Sequence, residues 1–262
     1  MINLKYTKSQ FNEFIKKYDM ENEMIKLKVD HMIRVMKINS YFAKLQNLDE
    51  ENIELAGVIG LLHDIGRFVQ IEKYGTFIDS KSINHCEAGV KLLFEENLIE
   101  NFVQDSKYYY TIEKAIENHG KYEIENNLDD KTLLHCKLIR DSDKTDIFEV
   151  MLRDNPYVVF DGDYDKNGTI NPKVESDFFE NKMINSADRK GVLDDFVRKV
   201  AFIYNYYFPC DLKYVKEQNY LNRMKDRFLE SYHFESDETN KKIEQIVKYG
   251  NEFLEKQILS EN

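Results

Sequence analysis

Apolar side chains recur at three- and four-residue spacing over most of this 262-residue chain, the signature of helices that bury one face. Leu27, His31, Val35, Ile38 and Phe42 fall on one stripe and predict a long helix over residues 22–46. A shorter helix is expected before it, from Ser9 to Tyr18. Further helices are expected over 50–64, 84–96, 106–119 and 131–153. Gly66 and Gly120 are placed to end the first and third of these. Residues 74–84, YGTFIDSKSIN, read as a loop. The clearest break is DNPYVVFDGDYDKNGTIN, residues 154–171, flanked by Pro156 and Pro172. Beyond it the pattern predicts helices over 172–182, 187–207, 210–218 and 237–259, with Ser186 and Asp237 as N-caps. No internal repeat is visible. The expectation is an all-α chain in two parts. A helical domain spans 1–153, and a loop with a C-terminal helical extension spans 154–262. The Phe and Tyr residues of the extension, at helical spacing, point to packing on the first part.

Several polar residues interrupt the apolar stripes. His31 shares a face with Leu27, Val35 and Ile38, and His63 shares one with Ala56 and Ile59. His85 lies beside Ala88, Gly89 and Leu92, and His119 follows Ile112, Ala115 and Ile116. Asp143 falls on the stripe of Cys136, Ile139, Ile147 and Val150. A single histidine on such a face is usually a hydrogen-bonded core residue, and Asp143 alone would pair with Arg140. Five inward polar groups on five helices need satisfaction together, because unpaired ones are costly. A metal centre satisfies them at once, since imidazole and carboxylate suit divalent Zn, Fe, Mn, Co or Ni. Asp64, beside His63 at a helix end, has two oxygens and could bridge two ions. His135 and His233 lack this setting and read as surface or capping residues.

Composition narrows the partners. The formal net charge is −11, which disfavours binding to a long nucleic-acid backbone but not to a small phosphorylated substrate. No apolar run is long enough for a membrane span and no basic-then-apolar leader opens the chain, so neither membrane insertion nor secretion is expected. Cys86, Cys136 and Cys210 are too few and scattered for a disulfide framework, which points to a reducing cytoplasm. Asp161, Asp163, Asp165 and Asn167 alternate like the start of a calcium loop. Lys166 stands where that loop needs glycine and Pro172 where it needs glutamate, so a solvated acidic turn is the better reading.

The ordered set His31 in DHMIRVMKIN, His63-Asp64 in LLHDIGRF, His85 in INHCEAGVKLL, His119 in AIENHGK and Asp143 in RDSDKTDIF resembles the HD-domain superfamily of metal-dependent phosphohydrolases, over roughly residues 25–150. The resemblance implies an all-helical core in which ligands converge from several helices. Its minimal site would use His31, His63, Asp64 and Asp143. The two extra histidines, His85 and His119, resemble a dinuclear subgroup, which implies two divalent ions bridged by Asp64. Asp141 competes with Asp143 for the last position; Asp143 is preferred because the family places that ligand before a Lys or Arg, here Lys144. The Gly-Tyr-Pro signature of the cyclic di-GMP phosphodiesterase branch does not occur. Residues 150–262 resemble the helical tail of bacterial HD proteins in general pattern only.

The leading expectation is hydrolysis of a phosphate ester or anhydride of a small molecule by metal-activated water, with Asp64 at the centre and Arg67 and Lys144 on phosphate oxygens. Tyr74 and Phe77 could wall the pocket. The alternatives are a di-iron oxygenase with the same six ligands and a non-catalytic metal-binding module; the completeness of the matched set speaks against the latter.

Overall fold

The computed structural model describes residues 2–160 and 163–259. Among them the secondary structure is helical, with one isolated bridge between Asp163 and Gly191 and no strand. The chain divides into two compact units, Met1–Asp146 and Ile147–Asn262. None of the described helices is long and apolar enough to cross a membrane.

The first unit opens with α1 (Leu4–Ile15), earlier than the pattern suggested, because the Asn3 side chain accepts from Tyr6 N at 2.8 Å and starts the helix there. Helix α2 (Glu23–Leu45) is capped by Asn22, and α3 (Glu50–Leu62) by Asp49. These two helices form the most extensive pairing in the unit. Buried Asn39 on α2 donates to Ala56 O on α3 at 2.7 Å. The same Asn39 accepts from Ser142 on α8 (Asp130–Arg153) at 3.0 Å, tying three helices with one side chain. Fully buried Phe11, Met32, Val35, Leu55, Ile59 and Ile139 belong to the common core.

Gly66 does not end a helix. It begins α4 (Gly66–Tyr74), whose Phe68 and Ile71 are buried. A Cβ at Gly66 would lie 2.1 Å from His85 O and 2.5 Å from Gly89 N, so glycine serves here for the close approach of α5 (His85–Val90). Helix α5 continues as one π-type turn, Lys91–Glu95. Short α6 (Ile99–Phe102) and then α7 (Tyr109–His119) follow, with Gly120 ending α7 as its position suggested.

The second unit contains the end of α8 and the short α9 (Pro156–Val159), which lies inside the expected loop. Then come α10 (Pro172–Phe179), α11 (Val192–Val200), α12 (Pro209–Glu217), α13 (Tyr220–Ser231) and α14 (Asp237–Leu259). The expected helix over 187–207 is α11 flanked by 3-10 turns. Helix α13 is additional, although Leu221, Met224 and Phe228 bury one stripe at helical spacing. The cap of α14 is Ser236, whose hydroxyl accepts from Thr239 N at 3.2 Å, one residue before the expected Asp237. Likewise the side chain of Asn185, not Ser186, caps the turn at Ser186–Asp188. The core gathers Phe178, Phe196, Val200, Phe228 and Ile243, with Phe196 stacked on Phe228 at 4.4 Å. Asp161 of the acidic loop lies outside the described residues; Asp165 accepts from Asn167 N and Gly168 N and organises a local turn.

Candidate metal centre

Five helices deliver the candidate site. His31 projects from the middle of α2. His63 closes α3, and Asp64 follows it in the turn before α4. His85 is the first residue of α5, held there because Asn84 Oδ1 accepts from Cys86 N at 2.9 Å. His119 is the last residue of α7, and Asp143 lies midway along α8. All four histidines and Asp64 are buried, and Asp143 is partly exposed.

Each imidazole is oriented by an acceptor at Nδ1. His31 Nδ1 meets Asp146 Oδ2 at 2.7 Å, and His85 Nδ1 meets Asp79 Oδ2 at 2.6 Å. His63 Nδ1 lies 2.9 Å from Gly60 O, and His119 Nδ1 lies 2.7 Å from Ile116 O. The last two use backbone carbonyls three residues earlier, in the last turns of α3 and α7. Carboxylates and carbonyls only accept, so each Nδ1 donates, and Nε2 is the atom each ring leaves for the cluster.

Those nitrogens converge in two pairs. The Nε2 atoms of His31 and His63 are 3.2 Å apart, and those of His85 and His119 are 3.1 Å apart. Asp64 stands between the pairs. Its Oδ2 lies 3.6 Å from His31 Nε2 and 3.9 Å from His63 Nε2. Its Oδ1 lies 3.5 Å from His85 Nε2 and 3.6 Å from His119 Nε2. Asp143 Oδ1 joins the first pair, 3.2 Å from His31 Nε2 and 3.6 Å from His63 Nε2. Ligands about 2.1 Å from a divalent ion are about 3.0 Å apart at an octahedral edge and about 3.4 Å apart in a tetrahedron. The donor spacing fits a cation, and nitrogens facing each other across such gaps call for one. Groups of donor atoms able to hold a metal ion include His31, His63 and Asp64, and also His63, His119 and Asp143.

The electrostatics favour positive charge. Burial works against the Asp64 carboxylate, but Lys28, Arg67 and His63 overcome it and hold Asp64 well below the usual carboxylate range. Asp143 is likewise held low, by His31 and His63, against the effect of burial. Burial lowers His63. His31 and His119 rise despite burial, through Asp143 and Asp146 for His31 and through Cys86 and Asp64 for His119.

The remaining sequence-derived residues fall as follows. Arg140 donates to the carbonyls of Asn118, near the end of α7, and of Tyr122 just beyond it. Asp141 lies 3.9 Å from Lys144 Nζ, and Asp143, not Asp141, faces the histidine nitrogens. Lys144 is buried, which pushes its ammonium down to about 8. Arg67 Nη1 donates to Gln70 Oε1, Phe77 O and Asp79 Oδ1, and its Nε lies 3.3 Å from Asp64 Oδ1. Phe77 lies under Lys28 Nζ, 5.4 Å from the ring centre, whereas Tyr74 is exposed. His135 is not on the surface. It is buried, with Nε2 donating to Asn52 Oδ1 at 3.1 Å, while His233 is exposed as expected.

Four contributors were not anticipated: Lys28, Asp79, Cys86 and Asp146. Lys28 Nζ is 2.9 Å from Asp64 Oδ2. Asp146 is fully buried and takes Arg34 through both carboxylate oxygens while orienting His31. A signal existed for Asp146, since it follows Asp143 by one helical turn. None existed for Asp79, which stands in a 3-10 turn of the loop between α4 and α5.

Fold and donor set together define a helical domain whose His/Asp cluster is compatible with divalent metal binding. Residues 29–147 match the family model of the HD domain, a domain of metal-dependent, hydrolase-type proteins. Comparison with curated proteins and with solved structures gave no match.

Proposed function

We propose that this HD domain is a dinuclear metal-dependent phosphohydrolase that cleaves a phosphate ester or anhydride of a small molecule, such as a nucleotide or a sugar phosphate. One observation carries the reading: the two oxygens of a single carboxylate, Asp64, face two separate histidine pairs. In this reading His31, His63, Asp64 and Asp143 would hold one ion, and Asp64, His85 and His119 would hold the other. When bound, such ions supply a water activated near neutral pH and positive charge for phosphoryl oxygens.

The protein's own groups do the rest. Asp146 and Asp79 hold the His31 and His85 rings so that Nε2 stays available. Two divalent ions would outweigh the two carboxylates that hold them, so the loaded centre would attract an anion within a chain of net charge −11. Lys144 and Arg67 contact the phosphoryl oxygens, Arg67 from beside the Asp64 carboxylate that its Nε faces. Lys28, beside Asp64, adds a third cation at the same place.

Metal analysis of the purified protein, followed by a phosphate-release screen of nucleotides, dinucleotides and sugar phosphates with Mn²⁺ or Fe²⁺, tests the reading. About two ions per chain and phosphate release, both lost in Asp64→Ala, are expected. Oxygen uptake by the iron-loaded protein without phosphate release would identify an oxygenase instead. No bound metal and no turnover would overturn the proposal.

A further inference from the structure

One buried side chain in the centre has no part in the reading above. Cys86 follows His85 on α5, and its Sγ lies 3.4 Å from His85 Nε2. It lies 3.8 Å from His119 Nε2 and 3.6 Å from His119 Nδ1. With the 3.1 Å between the two Nε2 atoms, sulfur and nitrogens form a compact triangle. A tetrahedral ion with metal–sulfur bonds of about 2.3 Å and metal–nitrogen bonds of about 2.05 Å puts sulfur about 3.6 Å from each nitrogen. The triangle brackets that value. His85, Cys86 and His119 also form a group of donor atoms able to hold a metal ion.

A buried cysteine ordinarily fills space among apolar neighbours. This one touches two imidazoles, against Nε2 of His85 and beside the His119 ring. Both rings spend Nδ1 on an acceptor, Asp79 and Ile116 O, which leaves Nε2 as the atom each turns to the cluster. A thiol has one hydrogen and can serve only one of them; a cation serves both and the sulfur as well. The wall behind the thiol is shaped for it. A Cβ at Gly120 would lie 2.7 Å from Cys86 Sγ and 3.3 Å from His85 Cε1, so any larger residue there would displace the sulfur.

We propose that Cys86 Sγ is a third side-chain donor, with His85 Nε2 and His119 Nε2, to the second ion of the centre. The proposal rests on the dinuclear reading and adds a soft ligand to one half of it. Binding releases the thiol proton to solvent as the metal–sulfur bond forms. The asymmetry has a chemical consequence: the Cys86 half prefers thiophilic Zn²⁺, Co²⁺ or Fe²⁺, whereas the Asp143 half, with only nitrogen and oxygen donors, accepts Mn²⁺ as readily.

Titration of the metal-free, full-length protein with Co²⁺, followed by absorbance, tests this. The expected result is a near-ultraviolet sulfur-to-cobalt band that grows with one of two bound equivalents. X-ray absorption should then place a sulfur at about 2.3 Å from cobalt. Cys86→Ser should lose the band and the sulfur shell while still binding cobalt. Two equivalents bound by the unaltered protein with no sulfur band would overturn the Cys86 assignment and leave the dinuclear reading standing. A band that persists in Cys86→Ser would come from Cys136 or Cys210 and would also overturn it. Failure to bind cobalt at all would overturn both.

Discussion

In the proposed dinuclear reading, replacing Asp79 by asparagine should separate the two halves of the centre. Asp79 Oδ2 accepts from His85 Nδ1 at 2.6 Å, and Oδ1 accepts from Arg67 Nη1 at 2.7 Å and Gln70 Nε2 at 2.9 Å. Asparagine keeps one oxygen. If it stays with Arg67 and Gln70, the new amide hydrogens meet His85 Nδ1–H, donor against donor. The ring relieves this by moving its hydrogen to Nε2, the atom that would bind the proposed second ion. Loss of an outer carboxylate of this kind weakens metal binding about 10- to 100-fold, or about 1.4 to 2.7 kcal/mol. The side chain is 40% exposed, so global stability should fall by less than about 1 kcal/mol. Calorimetric titration with Zn²⁺ should therefore show one weakened equivalent and one unchanged, with nearly the same melting temperature. Asp79→Ala, which has no opposing donor, should lose less affinity than Asp79→Asn. Equal weakening of both equivalents, or no change in either, would refute the reasoning.

Other consequences are open to direct measurement. Gly66→Ala puts a methyl against backbone atoms 2.1 and 2.5 Å away, so it should cost about 1 to 3 kcal/mol and displace His85; an unchanged melting temperature would contradict the close approach of α4 and α5. His135 is held neutral by burial, aided by Lys131, with its pKa lowered from 6.5 to about 3. The unfolded chain therefore takes up a proton that the folded one refuses. This stability is present above pH 6.5 and is lost as pH falls towards 3, at up to about 1.4 kcal/mol per pH unit. Urea unfolding of the unaltered protein and His135→Gln from pH 7 to 4.5 should show their difference changing with that sign; a pH-independent difference would count against it. In the second unit, buried Asp195 pairs with Arg189 at 2.8 Å, with Arg198 at 3.2 Å and with Lys199. Asp195→Ala strands these cations and should destabilise the protein by about 3 to 5 kcal/mol in urea unfolding, against less than about 1 kcal/mol if the cluster were solvent-screened.

Much of the architecture was legible along the chain, because helical periodicity is local. The stripes predicted α2, α7, α8 and α14 closely, and they placed His31, His63, His85, His119 and Asp143 on inward faces. Where local reading failed, a contact from elsewhere had decided the matter. Gly66 looks like a helix stop in sequence, yet its lack of a side chain serves the backbone of α5. His135, with Lys131 and Thr132 on one side of its face, looks exposed, yet it is buried against Asn52 on α3.

The same division runs through the centre. Residue types and their order marked six candidate donors, since histidines and aspartates on apolar stripes need partners wherever they end up. Which nitrogen each histidine presents was decided only by the tertiary structure. Asp146 reaches His31 across 115 residues, and the Gly60 and Ile116 carbonyls meet the His63 and His119 rings in the last turns of α3 and α7. Cys86 shows the limit most plainly. In sequence it is one cysteine beside a histidine; in the fold it lies against two imidazoles. A hydrophobic pattern specifies which way a side chain faces, but only the packing of several helices sets the few ångströms between donors on which metal chemistry depends.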